Sequence, residues 1–196
     1  DVYKRQVEDQ GDAFGDLGVL FILIVILVYI VMATQFESLL FPFIIMFTIP
    51  FAFTGVFLAL WMTSTPLSLI ALIGAIMLVG IVTKNGIVMV DYMNLLVERG
   101  SGVFDAVIAG GKSRLRPVLM TSFTTILGML PLAIGTGAGS ETWQPMGIAV
   151  IGGLTCSTLL TLFIIPALYS VFVNRSQRKE KEKLARLSAE HQASVH

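Results

Sequence analysis

Lys84 is the residue in this sequence whose type and position are most suited to chemistry. It lies in the segment GIVTKNGIVMVDY, residues 80–92, and interrupts an apolar run over 67–92. A charged side chain inside a membrane span carries a free-energy cost, so it usually has a partner or lines a cavity. We therefore interpret Lys84 as a buried functional lysine.

The alternative is that Lys84 extends its ammonium group to the nearer membrane surface. The positive charges of the chain, described below, place the start of this helix outside the cell and Lys84 nearer its cytoplasmic end. Helical side chains lean toward the N-terminus of their helix, which for Lys84 is back toward the bilayer centre. This direction disfavours an extension of the Lys84 side chain to the cytoplasmic surface.

A counter-charge for Lys84 is hard to find in the sequence. Asp91 shares its helix, but seven residues are roughly 10 Å along the axis and too far for a direct salt bridge. We interpret Asp91 as an interfacial charge and the neighbouring Asn85 as a hydrogen-bonding group within the bundle. No other carboxylate lies inside a predicted span, so the partner of Lys84 is expected on a helix outside this sequence.

A polar stripe is predicted within RLRPVLMTSFTTILG, residues 114–128. Thr121, Thr125 and Gly128 recur at i, i+4 and i+7 and therefore share one face of a helix. Such residues favour close helix packing in membranes; the alternative is a polar lining for a proton path. Arg114 and Arg116 flank the start of this run and are expected to anchor it in the interface, although Arg114 could also face an aqueous entrance.

The elements that must hold these residues are membrane helices. Hydrophobic residues make up 55% of the 196 residues and charged residues 13%, with a mean hydropathy of +0.84; a soluble domain carries about 25% charged residues. The apolar runs are continuous rather than alternating, which disfavours strands. Pro50, Pro131 and Pro166 are expected to kink helices or to mark their ends. The sequence predicts an all-α integral membrane protein, a bundle of five transmembrane helices over 17–34, 41–62, 67–92, 117–134 and 145–173.

The polar segments predict the orientation of the chain. Residues 1–16 are expected to form an extracytoplasmic N-terminal stub, the 94–116 loop to include a short amphipathic surface helix, and residues 174–196 to form a charged tail in a solvated or frayed helix. The loop and the tail hold ten of the thirteen Lys and Arg residues, which places them in the cytoplasm and the N-terminus outside. A chain that starts outside without a signal peptide is expected to begin within a longer protein.

Other classes of site have no support in the sequence. The single cysteine, Cys156, and the two histidines, both in the tail, form no metal-binding spacing. HExxH, GxSxG and Walker motifs do not occur, so we expect neither an enzyme nor a cofactor. The net charge of zero gives no reason to expect a nucleic-acid partner.

Four segments in order resemble the C-terminal membrane part of resistance-nodulation-division (RND) efflux permeases, most closely the hydrophobe/amphiphile (multidrug) branch. They are ATQFESLLFPFIIMFTIPFAFTGV, GIVTKNGIVMVDY, SRLRPVLMTSFTTILGMLPLAIGTGAGSE and IGGLTCSTLLTLFIIPALY. The resemblance covers about 17–173. Several matched motifs in one order make it far more specific than any single pattern.

The resemblance implies that the chain is the C-terminal part of a twelve-helix transporter that exchanges protons for drugs. Residue by residue, it implies that Lys84 is a relay lysine paired with two aspartates of the first half. Thr121 would be a polar residue of that relay, and Arg114 an arginine near the cytoplasmic proton entrance. Since the aspartates and the drug-binding domains have no counterpart here, this chain alone is not expected to transport anything.

The resemblance also implies partners. These are the remaining N-terminal part of the permease, further copies in a homotrimer, the lipid of the bacterial inner membrane and, in a Gram-negative host, a periplasmic adaptor and an outer-membrane channel. Two other functions stay open. The first is a metal-ion or lipid-exporting RND relative; metal export would be expected to show methionine pairs, whereas the nine methionines here are scattered. The second is a non-functional truncated scaffold segment, which a charge at Lys84 disfavours.

Overall fold

The structure, a computed structural model, describes the backbone of residues 2–194 and the side chains of residue 5, residues 8–176 and residue 178. Within that range the chain forms six helices and no strand. The helices are α1 Val2–Phe36, α2 Leu40–Met46, α3 Thr48–Met62, α4 Leu69–Glu98, α5 Val103–Ile134 and α6 Ser140–Ser194.

Five helical stretches of the described chain are long and apolar enough to cross a membrane. They are Glu8–Phe36, Leu40–Met62, Leu69–Glu98, Val103–Ile134 and Ser140–Ser176, with α2 and α3 sharing the second stretch. This confirms the prediction of an all-α membrane protein with five transmembrane helices. The side chains of the predicted tail, apart from those of residues 174–176 and 178, lie outside the described part.

The helices extend further into the polar segments than the sequence suggests. The turn between α4 and α5 covers only 99–102, and the predicted amphipathic surface helix forms the first turns of α5 instead. With 32 residues, α5 is about 48 Å long, against roughly 30 Å for the hydrocarbon core. Its charged first third therefore reaches beyond the apolar layer.

Proline breaks only one of the spans. Pro50 has no N–H to donate to the carbonyl of Met46, and the helix is interrupted beside that carbonyl, at Phe47, between α2 and α3. Pro131 lies in the last turn of α5, as expected for a helix end. Pro166 lies inside α6, which continues from Ser140 to Ser194.

The last span, in α6, is the centre of the bundle and has the largest interfaces, with α3, α4 and α5. Glycines bring α3 and α6 close together: a Cβ atom on Gly55 would lie 2.7 Å from the carbonyl oxygen of Gly152, and one on Gly152 would overlap Ala59. Small residues allow such close approach, which supplies packing energy where lipid offers no hydrophobic drive.

A separate cluster of buried side chains joins α1, α2, α4 and α6. Its members are Met32, Ile45, Met89, Val90, Met93, Ile165, Tyr169 and Val173. The Tyr169 hydroxyl donates a hydrogen bond of 2.6 Å to Oδ1 of Asn94, and its ring stacks on Phe41 with 5.8 Å between centroids. These contacts fix the last third of α4, which includes Asp91 and begins five residues after Lys84.

Candidate proton-relay site

Lys84 lies on the side of α4 that faces away from the packed core. Its neighbours Val82, Thr83, Asn85 and Gly86 are buried, whereas Lys84 itself is exposed. Lys84 is exposed in this chain because α6 covers the opposite side of α4 and leaves the lysine side uncovered. Its interpretation as a buried functional lysine stays a prediction, since its partner is expected on a helix outside this sequence.

The uncovered side of α4 forms a groove with α1. The groove has a volume of about 430 Å³ and is lined on α1 by Leu27, Val28, Val31 and Met32, and on α4 by Gly80, Thr83, Lys84, Ile87 and Val88. The Thr83 hydroxyl is used within its own helix, donating to the carbonyl of Val79 at 2.6 Å. Among the described side chains no carboxylate forms an ion pair with Lys84. Lys84 is thus the one charged residue among the residues that line this groove.

The other two polar residues proposed for this helix lie on different sides of it. Asn85 is 6% exposed and lies on the packed side of α4, as expected for a residue inside the bundle. Asp91 is exposed and shares the side of Lys84, two turns nearer the end of the helix. This placement is compatible with the interpretation of Asp91 as an interfacial charge.

The predicted polar stripe of α5 is not a packing surface within the described chain. Thr121 is exposed, and a Cβ atom on Gly128 would meet none of the described atoms within 4 Å. The hydroxyls of Thr121 and Thr125 donate within the helix, to the carbonyls of Pro117 and Thr121, both at 2.9 Å. Close packing inside this chain therefore does not explain the stripe.

The hydroxyl of α5 that does pack inside the bundle belongs to Ser122. Ser122 is 3% exposed, and its Oγ lies 2.9 Å from Oγ1 of Thr158 on α6. The sequence analysis missed this pair. The signal was a second spacing in α5, because Ala106, Gly110, Val118 and Ser122 are the buried residues of that helix and recur at intervals of four or eight.

Arg114 lies on this same packed stripe, four residues after Gly110 and four before Val118. Its guanidinium carbon is 4.5 Å from the centroid of the Tyr92 ring on α4. Its Nε atom is buried and has no hydrogen-bond partner among the described residues. Arg114 is therefore held against α4 by an aromatic face, an arrangement that the sequence analysis did not foresee.

The contact between Arg114 and Tyr92 sets the register of the two antiparallel helices. From it, Lys84 lies eight residues back along α4, about 12 Å, and Thr121 lies seven residues on along α5, about 10 Å. Lys84 and Thr121 therefore reach nearly the same depth, both on uncovered sides of their helices. Arg114 lies about two turns closer to the 99–102 turn than these two residues.

The described side chains do not form a set of metal ligands. Within the part of the chain whose side chains are described, no group of three or more His, Cys, Asp or Glu residues comes together. The polar groups that the structure brings to nearly the same depth are those of Lys84, which donates hydrogen bonds, and Thr121, which donates and accepts them.

Two relatives match most of this chain in sequence. The multidrug resistance protein MdtC of Erwinia tasmaniensis is 44% identical over 156 residues, 79% of this chain and 15% of the relative. The swarming motility protein SwrC of Bacillus subtilis is 39% identical over 172 residues, 87% of this chain and 16% of the relative. The chain spans about one sixth of the length of these relatives.

Solved structures show the same fold. The crystal structure of a heavy metal efflux pump superposes on 86% of this chain, and on 16% of its own, with a TM-score of 0.78 and 32% identity. A second crystal form gives a TM-score of 0.73 and 33% identity over 84% of this chain. The profile of the AcrB/AcrD/AcrF family matches residues 2–173, and this chain is therefore a member of the AcrB/AcrD/AcrF family of RND efflux permeases.

Proposed function

We propose that the chain is part of a permease that exports hydrophobic or amphiphilic compounds in exchange for protons, and that Lys84 supplies the cationic half of its proton relay. The observation that carries the proposal is the groove between α1 and α4. Lys84 lines it beside apolar side chains, and no described carboxylate forms an ion pair with this lysine. A cation at membrane depth needs such a partner, which we place on a helix beyond this chain.

The relay works through electrostatics. A charged Lys84 beside two carboxylates lowers their proton affinity, and protonation of one carboxylate releases the lysine to change partner. The two arrangements form a bistable element that a proton gradient can bias. Because α6 fixes the opposite side of α4, the Lys84 side chain can change partner without disturbing the core.

Thr121 and Arg114 complete the proposed relay. Thr121 lies near the depth of Lys84 on the neighbouring helix, where its hydroxyl oxygen can accept a hydrogen bond while its own hydrogen is donated to the carbonyl of Pro117. Arg114 lies nearer the 99–102 turn. We place this turn and the end of α6 in the cytoplasm of an inner-membrane protein, in agreement with the positive charges of 94–116 and 174–196. Arg114 then marks the cytoplasmic approach to the relay.

The partners of the permease follow from its family. We propose that the N-terminal part supplies the two aspartates, that three copies assemble, and that a Gram-negative host adds an adaptor and an outer-membrane channel. The upstream reading frame separates this pump from a truncated scaffold. A continuous frame with two large soluble domains and an aspartate pair inside a span supports the pump, and a frame without them supports the scaffold.

Metal export is the second candidate, because the superposed structure with a TM-score of 0.78 is that of a heavy metal efflux pump. The relative that carries a multidrug name has the higher identity, 44% against 32%, so we favour organic compounds. Resistance profiles of cells with and without the full-length permease decide between them. Protection against dyes and detergents supports the first candidate, and protection against metal salts alone supports the second.

The test of the relay is Lys84→Ala in the full-length permease, expressed in a strain without its own efflux pumps. We expect drug resistance and dye efflux to fall to the level of the empty vector, with an unchanged amount of protein in the membrane. Met77→Ala is the matched control, since Met77 is 46% exposed and lies two turns earlier on the same side of α4. Wild-type efflux by the Lys84→Ala variant would refute the relay.

A further inference from the structure

A second groove lies at the end of the bundle near the 99–102 turn, away from Lys84. It has a volume of about 530 Å³ and lies between the start of α5 and the last described side chains of α6. Its lining consists of Phe104, Ser170, Val171, Asn174, Arg175 and Arg178. On α6 these residues recur at i, i+1, i+4, i+5 and i+8 and therefore form one face.

The groove changes from apolar to charged along α6. Its inner end has two exposed apolar side chains, Phe104 at 72% and Val171 at 48%, and its outer end has Arg175 and Arg178. The apolar run of α6 ends at Val173 in the sequence, so the arginines lie just beyond it, where the hydrocarbon ends. From Val171 to Arg178 the helix rises about 10 Å, enough to cross a headgroup region of roughly 5–8 Å.

The polar groups at the outer end suit a phosphate. Arginine presents a planar fork of N–H donors that matches phosphate oxygens in pairs, and the exposed Asn174 adds an amide donor. The Ser170 hydroxyl does not compete, because it donates to the carbonyl of Ala167 at 2.9 Å. The nearby Asp105 turns back over the start of α5: its Oδ2 lies 3.4 Å from where a Cβ atom of Gly102 would be.

We propose that this groove binds an anionic phospholipid, with its phosphate on Arg175 and Arg178 and its acyl chain along Phe104 and Val171. One face of α6 changes from apolar to cationic along its length. This order matches a lipid molecule, whose apolar acyl chain is followed by an anionic phosphate. Basic pockets between membrane helices bind acidic headgroups in this manner. Nothing in the proposed proton relay requires this site, which lies on a different face and at a different depth.

The test uses the full-length permease in detergent, with phosphatidylglycerol as the probe, phosphatidylcholine as the competitor, and bound lipids counted by native mass spectrometry. We expect the double variant Arg175→Gln/Arg178→Gln to bind phosphatidylglycerol more weakly by about fivefold for each arginine. Arg99→Gln is the matched control, since this exposed arginine caps α4 at the same end of the bundle and does not line the groove. Its affinity should stay at the wild-type value.

Three outcomes would overturn the proposal. They are wild-type affinity in the double variant, equal losses in the double variant and in Arg99→Gln, and displacement of the lipid by inorganic phosphate, which would make the groove a site for a soluble anion. Phe104→Ser tests the apolar end independently, because it keeps both arginines. We expect it to weaken phosphatidylglycerol binding while the melting temperature of the permease stays unchanged.

Discussion

The Arg114 guanidinium lies over the ring of Tyr92, 4.5 Å from the ring centroid, and joins the charged start of α5 to the end of α4. A half-buried cation on an aromatic face is stabilised by the negative potential of the ring. Tyr92→Leu should therefore lower the free energy of unfolding by about 1 kcal/mol, whereas Tyr92→Phe should lower it little. Denaturant unfolding of the permease in detergent measures both.

A double-mutant cycle isolates this contact from other effects of the substitutions. Combining Tyr92→Leu with Arg114→Met should give a coupling energy of about 0.5–1 kcal/mol. Additive effects of the two substitutions would mean that the two side chains are merely neighbours. Equal losses for Tyr92→Phe and Tyr92→Leu would assign the stabilisation to the hydroxyl instead of the ring.

Thr121 gives a functional prediction. Thr121→Ala should reduce proton-coupled efflux by at least about tenfold, in line with the loss of one positioned proton-transfer group, and Thr121→Ser should keep most of the activity. Thr155→Ala is the control, because Thr155 is also exposed and also donates to a carbonyl of its own helix, that of Ile151 at 2.7 Å. Dye efflux from intact cells reports all three. Similar losses at both threonines would indicate a general effect on the helices.

The interface between α5 and α6 gives a prediction about stability. A Cβ atom on Gly147 would lie 2.8 Å from the backbone nitrogen of Ala133, whereas one on Gly128 would meet none of the described atoms within 4 Å. Gly147→Ala should therefore destabilise the fold by about 1–3 kcal/mol, since backbone cannot yield as a side chain can. Gly128→Ala should leave the melting temperature unchanged or higher, because alanine is the better helix former.

Substitutions of two threonines of α6 test how much a buried hydroxyl contributes to the stability of the fold. Thr158 shares a hydrogen bond of 2.9 Å with Ser122, whereas Oγ1 of Thr161 is buried with no partner among the described residues. Thr158→Val should cost about 0.6 kcal/mol, as is typical of such bonds in membranes. Thr161→Val keeps the shape and removes an unsatisfied group, so it should be neutral or stabilising. A larger loss at Thr161 than at Thr158 would contradict this assignment.

The number of membrane spans and their helical type could be predicted from the sequence because a membrane imposes them locally: each span needs an apolar run, and Lys84 stands out within its run. Which side of each helix faces the bundle could not be predicted. Thr121 and Ser122 are adjacent in the sequence, yet one is exposed and the other pairs with Thr158, and that depends on where α6 lies. The continuity of α5 through Pro117 was missed for a similar reason, since proline only favours a helix start there and does not require one.

The central position of α6 has a consequence for how the protein is made. The ribosome releases the helices into the membrane in order, and α6 follows α3, α4 and α5, although all three have their largest interfaces with it. Until α6 arrives, the small faces of the earlier spans have only lipid against them. The bundle can therefore close only once α6 has been inserted, and a transcript cut short before α6 should yield inserted helices that cellular proteases remove.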